Sequence, residues 1–198
     1  GDTLISLSGN NTLFSNANGN TLRTSSNTVE VLYSADDMLI DLPGGTAGVQ
    51  GSGRHDTLIG VQTVDLTGVD GTIVSNGSGN TLISASTSNT LEYSNDDVLV
   101  DLAVGSAAVA GDAQADQIIG LNHIVLPGTN DVARAGPFAA PLAASGTSDT
   151  LGGQAAGSPL IASGASSGAR ARYTKSFITI DPAAGRATSR TGTYDSLI

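Results

Sequence analysis

Cysteine and tryptophan are absent from this chain, and 3 phenylalanines, 4 tyrosines and 1 methionine are the only other bulky or sulfur-bearing side chains of their kind in 198 residues. Without cysteine there is no disulfide framework and no thiolate zinc site, and the redox compartment stays open. With so few aromatics, a core must rest on Leu, Ile, Val and Ala. Charged residues make up only 13% of the chain, and apolar residues do not recur at the three- and four-residue steps of a helix. No apolar run approaches the roughly 18–20 residues that span a bilayer, so membrane insertion is not expected. No signal peptide opens the chain. Gly1 falls inside a repeat with no methionine before it, which reads as a piece or processed product of something longer. Glycines are plentiful, but none sits in a strand–GxGxxG–helix or P-loop context. No G-x-S-x-G surrounds any serine. His55 and His123 are the only histidines and lack a closely spaced second ligand. No catalytic constellation is legible, and the expectation is a non-enzymatic module.

Acid, asparagine and glycine are what the chain does have. The net charge is −10, with 26 glycines. Residues 1–162 hold 14 Asp and 2 Glu against Arg23, Arg54 and Arg134; residues 163–198 hold Arg170, Arg172, Lys175, Arg186 and Arg190 against Asp181 and Asp195. An acidic body repels nucleic acid and anionic membranes, so neither is an expected partner. Acids that are nearly all Asp, beside 12 Asn, point to turns and oxygen ligation rather than to solvated helices.

The chain is organised by repetition. Tyr33–Val64 returns sixty residues later as Tyr93–Ile124, with Asp36-Asp37 matching Asp96-Asp97, Asp41 matching Asp101 and Gly60 matching Gly120. Beneath this runs a finer step of nine: Leu4, Leu13, Leu22, Val31, Ile40, Val49 and Leu58, then a step of six to Val64 and a fresh series to Ile118. One buried aliphatic per nine residues, flanked by Gly, Asn, Asp and Ser, describes a short strand and a tight turn. Stacked in parallel, such strands predict an all-β, right-handed parallel β-solenoid (a β-roll or β-helix) of degenerate nine-residue strands in repeats of about 60 residues. The expected solenoid covers 1–162, in copies of about 4–63, 64–123 and a weaker 124–162. Within it, 130–172 is rich in small residues and reads as irregular coils or as a linker. The basic segment 163–198 is expected to end the stack as a strand or hairpin cap, with a strand over Lys175–Asp181, a turn over Asp181–Gly185 and a second strand near Arg190–Ile198. If two strands complete one coil, seven strands per copy place equivalent positions on opposite faces.

The run Gly9-Asn10-Asn11-Thr12-Leu13 and the segment Asp56-Thr57-Leu58-Ile59-Gly60-Val61 resemble the repeats of RTX (hemolysin-type calcium-binding) proteins. In that family a nonapeptide G-G-x-G-x-D-x-U-x, with U a large aliphatic, winds into a parallel β-roll. The resemblance is strongest over 1–24, 54–66 and 77–92. Where the family carries Asp two places before the aliphatic, Asp2, Asp56, Asp116, Asp131 and Asp149 keep it. Asn11, Asn20, Asn80, Asn89 and Asn122 replace it, and the paired glycines are mostly missing. The resemblance implies Ca²⁺ as a ligand, with Asp2, Asn11, Asn20, Asp56, Asn80 and Asp116 as candidate metal positions. The same side chains equally suit hydrogen bonding to their own turns. Asp37 and Asp41 on one extended strand would lie about 13 Å apart, beyond the roughly 5–10 Å of a glycosidase pair, so turn-capping is the expected role of the repeated Asp sets.

The function expected from this pattern is that of a secreted structural or adhesive segment of a bacterial extracellular or surface protein. It would be stabilised by calcium, would associate end to end into filaments, and would meet an extracellular glycan or surface partner. The alternative is a module of a polysaccharide-acting enzyme (lyase, epimerase or hydrolase) or a glycan-binding module. An acidic or basic cluster in a groove formed by adjacent coils separates the two.

Overall fold

The computed structural model describes residues 1–137, 140–153, 157–162, 170–173, 178–181, 186–189 and 194–198. Among them there is no helix, and 23 strands of three or four residues form a thirteen-stranded and a ten-stranded sheet. The first four are β1 (Thr3–Ser6), β2 (Thr12–Ser15), β3 (Thr21–Thr24) and β4 (Glu30–Tyr33). They alternate between sheets: β1 pairs in parallel with β3 and β2 with β4, Leu4 against Leu22 and Leu13 against Val31. Two strands and two turns therefore complete one circuit of 18 residues. The alternation of strand side chains decides what goes inside. In β3, Leu22 and Thr24 are buried while Arg23 is exposed. These mostly parallel rungs fit a β-solenoid.

The chain then departs from simple stacking. Strands β5 (Met38–Asp41), β6 (Thr46–Val49) and β7 (Asp56–Ile59) form an antiparallel meander in the thirteen-stranded sheet. Strand β5 runs ahead, β6 turns back, and β7 returns to pair in parallel with β3. The turn is closed by Gly44 N–H donating to Asp41 Oδ1 (2.8 Å) and Gly45 N–H to the Leu42 carbonyl (3.2 Å). The nine-residue ladder predicts Val49 as an inward rung. Val49 does face inward, partly buried and packed against the core, and in the reversed β6 Ala47 on the same face is the fully buried residue.

Stacking resumes through β8 (Thr63–Leu66), β9 (Thr72–Ser75), β10 (Thr81–Ser84) and β11 (Thr90–Tyr93). A second meander follows, formed by β12 (Val98–Asp101), β13 (Ser106–Val109) and β14 (Asp116–Ile119), with Ala107 buried in the reversed strand. It lies in the ten-stranded sheet, so the two Asp sets, sixty residues apart, occupy opposite sheets. Next come β15 (His123–Leu126), β16 (Val132–Arg134), β17 (Leu142–Ala144), β18 (Thr150–Gly153), β19 (Pro159–Ala162) and β20 (Arg170–Tyr173). They continue the rungs in parallel.

The last strands are β21 (Ile178–Asp181), β22 (Arg186–Ser189) and β23 (Tyr194–Leu197). They make a third antiparallel meander, with β23 paired in parallel to β19. The path from β20 into β21–β23 repeats the path from β4 into β5–β7, where a single strand or hairpin cap is expected from the sequence. The expected turn residues 182–185, and Lys175 and Arg190, lie outside the described residues.

The core is the space between the sheets. Leu22, Ile40, Ile73 and Leu91 enter it from one side, Val31, Val64, Leu82 and Val100 from the other, all fully buried. Each contributes roughly 1.5–3 kcal/mol by leaving water. No helix among the described residues is long and apolar enough to cross a membrane.

Candidate binding groove

The residue two places before each inward aliphatic sits where the chain turns into a strand, and its side chain has a repeated task. Asn20 Oδ1 accepts the Asp2 N–H (3.0 Å), and Asp56 Oδ1 accepts the Asn20 N–H (2.7 Å). Asn89 Oδ1 accepts from Gly71 (2.8 Å), Asp116 Oδ1 from Asn80 (2.7 Å), Asp131 Oδ1 from Val98 (2.9 Å) and Asp149 Oδ1 from Asp131 (3.0 Å). Each side chain thus caps the corner N–H of the neighbouring rung. The corner carbonyl is paired as well, Thr21 N–H donating to Asp2 and Thr57 N–H to Asn20 at 2.8 Å each. A corner left unpaired inside the stack would cost about 1–3 kcal/mol, which is why Asp, Asn or Ser recurs there.

The metal candidates follow from this geometry. Asp2, Asn20 and Asp56 are brought together in one column, Asn80 and Asp116 in a column on the opposite sheet, and Asn11 begins that second side. Asp56 is fully buried and takes N–H bonds from Gly19 and Asn20 on Oδ1, and hydroxyl bonds from Ser15 (2.5 Å) and Tyr33 (3.0 Å) on Oδ2. Asp116 is held the same way by Asn80, Ser75 (2.5 Å) and Tyr93 (2.8 Å). Asn11, Asn20 and Asn80 donate their amides to Ser6, Ser15 and Ser75. The oxygens of Asp56 and Asp116, already surrounded by N–H and O–H donors, do not fit a calcium ion. No group of three acidic, histidine or cysteine side chains able to hold a metal occurs among the described residues. The sequence reading missed Tyr33 and Tyr93, although each stands 23 residues before the Asp it binds, a spacing visible in the duplication. Burial, then the neighbouring carboxylate, raises both phenol pKa values far above the ordinary one.

The repeated Asp sets also belong to turns. Asp37 and Asp97 carry positive φ (54° and 56°), while Asp36 and Asp96 accept the N–H groups of Val69 (3.0 Å) and Thr129 (2.8 Å). His55 is exposed. His123 Nδ1 lies 3.0 Å from Thr90 Oγ1, and burial lowers its pKa.

One concavity stands apart from these structural tasks. On the outside of the ten-stranded sheet, a groove of about 740 Å³ crosses β12, β16, β18 and β20. Strand register places Asp101, Arg134, Gly152 and Arg172 in one outward row on successive rungs. Arg134 donates from Nη1 to Asp101 Oδ2 (3.2 Å), and among the described residues this is the one ion pair. Leu99, Val132 and Thr150 form the neighbouring outward row. The groove went unseen in the sequence because its row joins residues 101, 134, 152 and 172, at steps of 33, 18 and 20 that only the register explains.

Comparison with protein-family models, with curated proteins and with solved structures gave no match.

Proposed function

We propose that the chain is a segment of a secreted, right-handed parallel β-solenoid that serves as a structural and adhesive element of an extracellular or surface protein. The observation that carries this reading is the corner ladder. Asn20, Asp56, Asn89, Asp116, Asp131 and Asp149 all serve the neighbouring rung. Polar side chains that a catalyst would aim at a substrate are here aimed along the stack, and each rung prepares the bonding surface for the next. Among the described strands, β1 and β2 at one end, and β20 and β21 at the other, are outermost in their sheets. Unpaired edges template further pairing, so the same bonds that join rungs support end-to-end association. Analytical ultracentrifugation across a wide concentration range, with electron microscopy of the concentrated sample, tests this. Concentration-dependent elongated species are expected; a monomer at every concentration removes the filament part.

The adhesive part rests on the groove, which also favours the second reading, a glycan-binding module. A glycan array probed with the 198-residue chain is the direct test, and binding to no glycan would remove adhesion to saccharides.

A further inference from the structure

We infer that the outward slot between Arg134 and Arg172 binds the carboxylate of an acidic saccharide lying along the groove. This rests on the adhesive reading for the partner's broad class, and on the following observations for its chemistry.

In the row Asp101, Arg134, Gly152, Arg172 the glycine has no side chain to fill the rung between the two arginines. Rungs lie about 4.8 Å apart, so the two guanidinium-bearing strands are about 10 Å from each other across Gly152, against which only the stem of Arg134 leans. That opening admits a small planar anion with a guanidinium on either side. Asp101 contacts Arg134 from the far side through Nη1 alone, so that ion pair leaves the other guanidinium donors unused. Arg172 has no ion pair among the described residues. Guanidinium groups bind carboxylates through two parallel N–H···O bonds, a geometry that an ammonium cannot supply.

The surroundings exclude other anions of larger charge. The chain carries −10, with only 8 Lys and Arg in all. A polyanion such as nucleic acid would be repelled by everything around the slot. A single carboxylate on an otherwise neutral chain would meet only the local field of the arginines. Beside the slot, Leu99 is 40% exposed and Val132 is half-buried, giving an apolar strip that suits the C–H face of a sugar ring. The Thr150 hydroxyl on the same strip can pair with a sugar hydroxyl, while Asp101 is occupied by the Ala103 N–H on Oδ1 and by Arg134 on Oδ2. A carboxylate, a C–H face and hydroxyls together describe a uronic acid residue in a saccharide chain.

Isothermal titration of the full chain with a galactose tetramer carrying one galacturonate residue, its methyl ester, the neutral galactose tetramer and a singly sulfated galactose tetramer tests the assignment. The mono-uronate tetramer is expected to bind at least tenfold more tightly than the ester or the neutral tetramer, and to weaken as salt rises. Arg134→Gln and Arg172→Gln should each lose about tenfold or more, which is 1.4 kcal/mol per factor of ten. Arg23→Gln, on the outer face of the other sheet, should bind as the parent does. Gly152→Val, which fills the slot, should abolish binding while its melting transition remains. Equal binding by the arginine variants, equal binding of the methyl ester, or a preference for the sulfated tetramer each overturns the carboxylate slot. If the mono-uronate tetramer fails while the array finds another glycan, the slot falls and the adhesive reading stands. If neither binds, both fall.

Discussion

Asp56 and Asp116 are fully buried carboxylates with donors on both oxygens, whereas Asp131 and Asp149, equally buried, each leave Oδ2 without a partner. The contrast has measurable consequences. Asp116→Ala strands the Ser75 and Tyr93 hydroxyls and the Asn80 N–H together, and should cost about 3 kcal/mol or more in urea unfolding. Tyr93→Phe removes a single charge-assisted bond and should cost about 1–2 kcal/mol. The opposite sign is expected at Asp131. Burial, chiefly, with Asp149, Asp96 and Asp97 adding to it against the opposing Val98 N–H bond, pushes its carboxyl from 3.8 up to about 6. The folded state therefore holds a proton that the unfolded chain has released between those values. This site's contribution to stability is greatest below about pH 4 and declines as pH rises to about 6. Asp131→Asn keeps an oxygen for the Val98 N–H and cannot ionise. It should gain roughly 1–3 kcal/mol at pH 7 and remove this part of the pH slope in urea titrations.

The meander is the element that departs from simple stacking, and its return is tightly specified. Gly120, just after β14, has φ +77°, and a Cβ there would collide with the Ser84 carbonyl oxygen on the adjacent rung. Gly111, in the turn before β14, has φ +95° but open space around it. Gly111→Ala should cost only the conformational penalty, about 1 kcal/mol. Gly120→Ala adds displacement of backbone and should cost more, roughly 2–4 kcal/mol, read as the difference between the two thermal midpoints. Gly60, in the equivalent place after β7, meets the Thr24 carbonyl in the same way. Much of this was open to inspection in the sequence, since Gly60 and Gly120 lie sixty residues apart. The reversal was not. A nine-residue period places an aliphatic at Val49 whether the strand runs forward or back, and only the pairing of Ile40 with Ala47 reveals the direction.

At the scale of the molecule, stacked rungs explain both the strength of the design and its limits. Because the corner oxygens are satisfied by N–H and O–H donors, calcium has no vacant ligand set at Asp56 or Asp116. Thermal midpoints measured with millimolar calcium and with a chelator should coincide. A rise in calcium would show that the exposed Asp2 and Asn11, or residues outside those described, supply a site. Alternation of the meanders between sheets keeps either sheet from outrunning the other until β21–β23 add to the thirteen-stranded one. The groove begins on β12 of the second meander, where Asp101 matches Asp41 of the first, and continues over the rungs that follow. Its arginines are in β16 and β20, outside the repeated segments.

What the sequence determined by itself is the local grammar. A short inward aliphatic, a corner Asp or Asn and a turn residue every nine positions can satisfy their own backbone only as stacked strands. That spacing dictated an all-β chain with a continuous aliphatic interior. It also assigned the Asp pairs to turns, because strand geometry holds their carboxylates too far apart for joint chemistry. The tertiary structure decided everything that depends on which rung lies beside which. Register joined Tyr33 to Asp56, made Asp56 a hydrogen-bonded corner, and reversed β6 and β13. It also set Arg134 and Arg172 on either side of Gly152. Such neighbours are fixed by circuits of 18 residues and by the longer steps across meanders, distances over which side-chain spacing along the chain carries no record of contact.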